Sequence, residues 1–382
     1  ITCRDWSSDV CSSDLKAAGL ANSIPLLFLL LGVVIVGVIY GPPDAECQPF
    51  PEDLPFNTTL YAQGDGGYHT FKIPTMITAA NGTILVFAEA RADNQEDWGK
   101  MDMVVRKSYD GGDTWTPLEV IVEDGDLTIG NTCPVVDQST GYIWVIFCKE
   151  NDLVFKMHSK DNGETWSNPI EITSAVKLDT WGWYATGPSH GIQLSDGTLV
   201  IPADHIVDRK MQAHVIYSTD HGETWKLGGT VPTGEEATLV ELDNGDLYIN
   251  IRPVKPGYRV TAISKDKGLT WEEIVIDESL PDSACQGSMI RMPNPDAPSE
   301  SIYLFSNPAD SLHREKMTIR ISYDQCKTWA DAKLLYAGLA SYSALSLIDP
   351  GNNLIGCVFE RGCNYYAEEI VFTRFSIDYI TS

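Results

Sequence analysis

The sequence predicts an all-β chain folded as a six-bladed β-propeller, on three observations. The first is a pattern repeated five times, Ser-x-Asp-x-Gly-x-Thr-Trp. It occurs at Ser108 to Trp115, Ser159 to Trp166, Ser218 to Trp225, Ser264 to Trp271 and Ser322 to Trp329, with Cys326 in the Gly slot of the last copy. The second is its period. The copies start 51, 59, 46 and 58 residues apart, as when one supersecondary unit recurs. The third is the texture between the copies. Runs such as Thr83-Ile-Leu-Val-Phe-Ala, Gly141-Tyr-Ile-Trp-Val-Ile-Phe, Thr198-Leu-Val-Ile-Pro and Asp246-Leu-Tyr-Ile-Asn-Ile are β-rich, and most follow an Asn-Gly, Asp-Gly or Thr-Gly turn.

Each copy has its own local physics. Asp bonds nearby backbone, and Gly accepts positive φ, so Asp-x-Gly makes a tight turn. Thr-Trp then restarts a strand and gives it a large apolar anchor. Each copy is therefore read as a structural hairpin at a blade rim, and a circle of such hairpins as a propeller. Residues 58–382 at a period of about 50 give about six blades in one large domain.

The N-terminal region reads differently. Residues 1–15 lack periodicity and resemble translated sequencing-adapter sequence, so they are set aside as non-native. Residues 16–40 contain the uncharged run Ile24 to Tyr40, preceded by Lys16. Its length lies between a signal-peptide core and a short membrane span, so the segment is a signal anchor or a cleaved signal peptide. Residues 41–57 form a linker. The propeller is thus expected to be exported, and any membrane contact is expected through the N-terminal segment alone. Asn57-Thr-Thr and Asn81-Gly-Thr are sequons, meaningful only in a eukaryotic secretory pathway. Seven cysteines lie beyond residue 15; Cys133/Cys148 and Cys357/Cys363 are candidates for bridges between neighbouring strands.

The formal net charge of −26 argues against nucleic acid or an anionic membrane surface as a partner. It leaves room for an anionic ligand, because a few buried arginines reverse the sign locally. No Gly-rich phosphate loop appears, and His190, His205 and His214 lack metal-ligand spacing, so neither cofactor nor metal is expected.

Residues outside the repeats carry the chemistry. His69-Thr-Phe-Lys-Ile-Pro-Thr resembles the Phe-Arg-Ile-Pro motif that opens the exo-sialidase propeller. Phe87-Ala-Glu-Ala-Arg91, through Asp97 and Asp102 to Val105-Arg-Lys-Ser108, is similar to the acid/base loop of that family. Glu236-Ala-Thr-Leu-Val-Glu-Leu with Arg252, Arg314-Glu-Lys-Met-Thr-Ile-Arg-Ile-Ser, and Ala340-Ser-Tyr342-Ser followed by Val358-Phe-Glu360 resemble the remaining family segments in order. The match covers about Tyr61 to Phe375, in the bacterial and trypanosomal style, without an added lectin domain.

The resemblance implies a retaining exo-glycosidase that removes terminal sialic acids. A carboxylate on the anomeric carbon needs fixed cations, which Arg252, Arg314 and Lys72 would supply. It would also repel an anionic nucleophile, which suits a neutral Tyr. A phenol with pKa near 10 is weak and needs a base. Tyr342 is thus expected as nucleophile, Glu236 as its base and Asp97 as acid/base. Arg91 is expected near sugar hydroxyls and Glu360 beside Lys72, while Trp181 to Ile192 resembles a segment near the aglycone. Rivals stand close by: Asp93 and Glu96 for Asp97, Glu235 for Glu236, Arg320 for Arg314. Lys72 departs from the family Arg and offers a point contact in place of a fork. Two other readings therefore stand: a hydrolase of a related ulosonic acid, or a catalytically degenerate propeller that binds acidic glycans.

Overall fold

The computed structural model describes residues 47–382. Residues 1–15 and the run Ile24 to Tyr40 lie outside that range. Among the described residues no helix is long and apolar enough to cross a membrane.

The chain is all-β with a propeller-like arrangement of antiparallel sheets. The first sheet holds Thr70–Thr78, Ile84–Arg91, Met101–Ser108 and Glu119–Val122. The second holds Ile129–Asp137, Tyr142–Lys149, Leu153–Ser159 and Ile170–Glu171. The third holds Tyr184–Thr186, Ile192–Gln193, Leu199–Val207, Lys210–Ser218 and Lys226–Val231. The fourth holds Ala237–Glu241, Leu247–Ile251, Gly257–Ser264 and Glu272–Asp282. The fifth has seven strands: Ser288–Asn294, Ala297–Pro308, Glu315–Ser322, Asp331–Asp349, Leu354–Gly362, Glu369–Ser376 and, from the other end of the chain, Asn57–Ala62.

Five sheets therefore stand where six separate ones were expected. The cause is the 19-residue strand Asp331–Asp349. Its first part pairs with Glu315–Ser322, and its second part, from Leu339, pairs with Leu354–Gly362. One residue from each of six strands (Ile77, Val136, Ile192, Val240, Ile290 and Leu345) lines a common axial cavity of about 310 Å³, and the last two belong to the seven-stranded sheet. Strands buried on both faces read as continuous apolar runs rather than alternating ones. Ile84–Arg91, buried at every position, is such a strand.

The repeats sit on turns and stitch the sheets in a circle. In the first copy the Gly112 N–H donates to Ser108 Oγ (2.8 Å) and the Thr114 hydroxyl to Asp110 Oδ2 (2.6 Å). Gly112 has φ 92°, and a Cβ there would lie 2.4 Å from the Phe372 ring. Gly163 abuts Leu85 in the same way, Gly222 abuts Trp144, and Gly268 abuts Val215. Each glycine thus lets its turn close onto the preceding sheet, with the first sheet resting on the last. Cys326 adopts φ 63° in the fifth copy and joins the cluster of Tyr248 and Tyr303.

The bridge expectations are corrected. Cys47 and Cys363 form a disulfide 316 residues apart in sequence, while Cys133, Cys148 and Cys357 are free and buried. Cys133 and Cys148 lie on adjacent strands but not opposite one another, because the register shifts between Gly130 and Cys133 and sets Cys133 against Ile146.

Candidate active site

Two adjoining groups of side chains form the site. The first is built on strand ends. Glu236 directly precedes Ala237–Glu241, and Arg252 directly follows the neighbouring strand Leu247–Ile251. The Arg252 N–H donates to the Glu236 carbonyl at 2.8 Å, so a sequence gap of sixteen becomes a cross-strand pair. Arg252 Nη1 donates to Glu236 Oε2 (2.8 Å) and to Tyr342 Oη (3.0 Å). The Tyr342 hydroxyl in turn donates to Glu236 Oε1. Tyr342 reaches this position through a bulge, since the register with Leu354–Gly362 shifts between Ala340 and Ser343. Burial, with the Glu236 charge added, pushes its pKa well above the ordinary phenol value, while Arg252 and Arg314 pull the other way. At neutral pH Tyr342 is therefore a neutral phenol whose hydroxyl points at Glu236.

Arg314 lies beside this group. It donates from Nη2 to the Ala284 carbonyl (3.0 Å) and from Nη1 to Ser341 Oγ (3.3 Å). Its guanidinium lies 5.5 Å from the Tyr342 ring centre and 4.9 Å from that of Tyr366. Among the described residues it has no ion-pair partner, so its charge is free for a ligand.

The second group is built around a loop. Asp97 lies between Ile84–Arg91 and Met101–Ser108 with 60% of its side chain exposed. Its Oδ1 accepts from Arg91 Nη1 (2.6 Å) and Lys72 Nζ (3.3 Å). Desolvation works against its charged form, yet Lys72 and Arg91 outweigh it and hold the Asp97 pKa below the ordinary carboxylate value. Lys72 is buried, and Ile73 beside it has φ 55°, rare for a β-branched residue.

The model of the BNR repeat-like domain matches residues 82–352. An exo-alpha-sialidase of Aspergillus fumigatus is 32% identical over 392 aligned residues, covering 88% of this chain and 93% of that one. The chain belongs to the exo-alpha-sialidase family. It is accordingly a glycoside hydrolase. A sialidase of Bacteroides fragilis is 31% identical, covering 78% of this chain and 61% of its own length. Among solved structures, the Hadza microbial sialidase Hz136 aligns with a TM-score of 0.78 at 29% identity, covering 85% of this chain and 69% of that one.

Arg91 and Glu360 of this sialidase-family chain are bound up within the protein. Arg91 is turned inward. It is 2% exposed, and its nitrogens bind the Gln95 and Glu96 carbonyls, Asp97 and Glu89. A short loop is drawn around one guanidinium, while Arg91 Nε has no partner among the described residues. Glu360 does not pair with Lys72; its Oε1 accepts from the Ile73 N–H at 2.6 Å. It holds the strained peptide that follows Lys72 and so acts on the ammonium indirectly.

The rivals separate by position. Asp93 is exposed, and Glu96 contributes only backbone to Arg91. Glu235 Oε2 lies 3.0 Å from Arg252 Nε, whereas it is Glu236 that accepts from the Tyr342 hydroxyl. Arg320 donates to Asn307 inside the fifth sheet. In the segment likened to the aglycone side, Trp181 packs against His205, with ring centres 3.4 Å apart, and serves the core. Asp310, His313 and Glu315 could place ligand atoms within 4.8 Å of one another, but Lys316 already neutralises Asp310 at 2.7 Å.

Sequence reasoning missed Glu89 and Tyr366. Glu89 Oε2 accepts from Arg91 Nη2 (2.6 Å), and its Oε1 accepts from the Asn131 N–H (2.8 Å). The signal was available, because Glu89 and Arg91 alternate on one strand and share a face. Tyr366 lies between Lys72 and Arg314, with Lys72 Nζ 6.0 Å from its ring centre; nothing in the sequence marked it.

Proposed function

We propose that the protein is a retaining exo-sialidase that hydrolyses terminal sialic acids from glycoconjugates, with Tyr342 as nucleophile, Glu236 as its base and Asp97 as acid/base. The observation that carries this reading is the mutual contact of Tyr342, Glu236 and Arg252. A phenol that donates to a carboxylate while accepting from a guanidinium is arranged to lose its proton as it attacks. In the first step Tyr342 Oη bonds to the anomeric carbon and its proton passes to Glu236. The glycosidic bond breaks and Asp97 protonates the departing oxygen. In the second step Asp97 removes a proton from water, the water oxygen takes the anomeric carbon, and Glu236 returns the proton to Tyr342. Arg252 Nη1, 3.0 Å from the phenol oxygen, stabilises charge that develops on it.

The substrate carboxylate is read as lying among Arg314, Arg252 and Lys72. Arg314, which has no anionic partner, supplies its main charge. Lys72 rests on Asp97 and swings to the carboxylate when substrate arrives. Arg91, Glu89 and Glu360 hold Asp97 and Lys72 in place. The domain is residues 58–382, and its seven-stranded sheet is read as two blades that share Asp331–Asp349, which makes six. Its partners are sialylated glycans. Export, by anchor or signal peptide, rests on the uncharged run Ile24 to Tyr40.

Lys72 favours a second reading, a related ulosonic acid as substrate, because an ammonium cannot make the forked contact of a guanidinium. Fluorogenic glycosides of several 2-keto sugar acids test both. Turnover of the sialic acid glycoside is expected. Turnover of another acid alone would support the second reading, and binding without turnover of any would leave a glycan-binding propeller.

A further inference from the structure

We infer that the segment Asp282 to Gln286 is a jig that aims Tyr342, and that Gln286 and Arg259 are positioning residues for the nucleophile. The inference rests on the sialidase reading for its kinetic consequences, but its geometry stands without it. Gln286 is 1% exposed. Its Oε1 accepts from the Ser343 N–H and its Nε2 donates to the Ser343 carbonyl, both at 2.9 Å. The amide gives Ser343 the donor–acceptor pair that a neighbouring strand would. On the other side of Tyr342, Ser341 Oγ meets Cys285 Sγ at 3.5 Å and accepts from Arg314. The residues before and after the nucleophile are therefore both fastened to one short segment. A bulged residue needs such fastening, because its own strand no longer fixes its register.

The segment is itself bolted down. Arg259, fully buried, donates to Asn250 Oδ1 (2.6 Å), Asp282 Oδ2 (3.1 Å), the Cys285 carbonyl (2.6 Å) and the Asn250 carbonyl (3.2 Å). Asp282 Oδ1 returns a contact to the Cys285 N–H at 2.9 Å. Between them Ala284 has φ 57°, which turns its carbonyl to Arg314. One surface of the segment thus belongs to the fourth sheet and the other to the site. Gln286 acts on Tyr342 alone, whereas Arg259 acts on both Tyr342 and Arg314. That difference separates aiming from packing.

The test compares the full chain with Gln286→Met, Gln286→Glu and Arg259→Met. Gln286→Met removes both amide contacts at similar volume. It should lower kcat roughly 100-fold, the scale of an ångström misplacement at a reacting centre. KM, and the affinity for a 2,3-unsaturated sialic acid analogue, should stay within about twofold, because that ligand is gripped by guanidinium groups and needs no attack. Gln286→Glu keeps the acceptor and should regain activity as pH falls, once its protonated oxygen can donate to the Ser343 carbonyl. Arg259→Met should lower kcat and analogue affinity together. If either Met variant fails to fold, Gln286→Glu still reads the jig. An unchanged kcat in Gln286→Met, or equal losses in kcat and analogue affinity, overturns the inference. A wild-type chain without turnover would refute the sialidase reading instead. A crystal structure of Gln286→Met then decides the jig, which predicts Tyr342 Oη displaced by about 1 Å or more from Glu236; an unmoved Tyr342 refutes it.

Discussion

The two halves of the site are built in opposite ways. Tyr342, Glu236 and Arg252 are buried or nearly so, sit at a bulge and at two strand ends, and satisfy one another. Asp97 sits on a loop with most of its side chain in water and is held by two cations. One half is organised before any ligand arrives. In the other, the resting geometry suits an ionised Asp97, although the proposed first step needs its acid form. On that proposal an anionic substrate would complete the loop side. Its carboxylate would draw Lys72 away and its bulk would expel water, and both changes would raise the Asp97 pKa.

The largest effect should come from the preorganised half. Tyr342→Phe removes the proposed nucleophile and leaves the cations proposed for the carboxylate in place. Turnover should fall on the order of 1,000-fold or more, with analogue binding retained in calorimetry. A mild loss would mean that the buried trio is structural. Asp97→Ala should come next, with a loss of about 100- to 10,000-fold on natural glycosides and much less on fluorogenic ones, whose leaving groups need little protonation. Equal losses on both substrate classes would remove Asp97 from the acid's role and dissolve the comparison.

The same contrast explains what could be read from the sequence. The five repeats were legible because each is a local turn whose bonds run between residues four apart, as from Thr114 to Asp110. Glu236 and Arg252 were legible because one hairpin brings them together. Tyr342 was picked from sixteen tyrosines by family resemblance alone, since its aim depends on a bulge and on Gln286, which lies 57 residues from the adjoining Ser343. The merging of sheets was hidden because Asp331–Asp349 bends at that bulge instead of breaking at a turn. The Cys47–Cys363 bridge joins the two ends of the described chain, and sequence spacing carries no record of such contacts. Arg91 and Glu360 were assigned by family resemblance. In the structure Arg91 binds the loop around Asp97, and Glu360 accepts from the Ile73 N–H across 287 residues, a contact that local sequence does not record.

Lys72→Met probes the loop half more gently. It removes the flexible cation and should raise KM about 10- to 100-fold, as expected for loss of one charge-assisted contact. It should also move the pH profile. Lys72 and Arg91 hold the Asp97 pKa low in the free protein. With Lys72 gone that pKa rises, so the acid form survives to higher pH. The alkaline limb of kcat/KM on natural glycosides should therefore shift upward. An unshifted limb would show that Lys72 does not govern Asp97, and an unchanged KM would show that it takes no part in carboxylate binding.

The smallest effect, and the sharpest for substrate identity, belongs to Lys72→Arg. A guanidinium can hold a sugar carboxylate by a fork, and it can also bind Asp97 more firmly than the 3.3 Å ammonium contact does. If the substrate is a sialic acid, KM should fall about fivefold, equivalent to about 1 kcal/mol. The alkaline limb should move slightly downward, because a tighter cation favours ionised Asp97. If Lys72 instead matches a different ulosonic acid, the larger planar group should crowd the space between Glu360's support and Tyr366, and kcat/KM on that acid should fall. Measured on both substrates, the sign of the change decides whether Lys72 weakens a sialic acid site or fits another one.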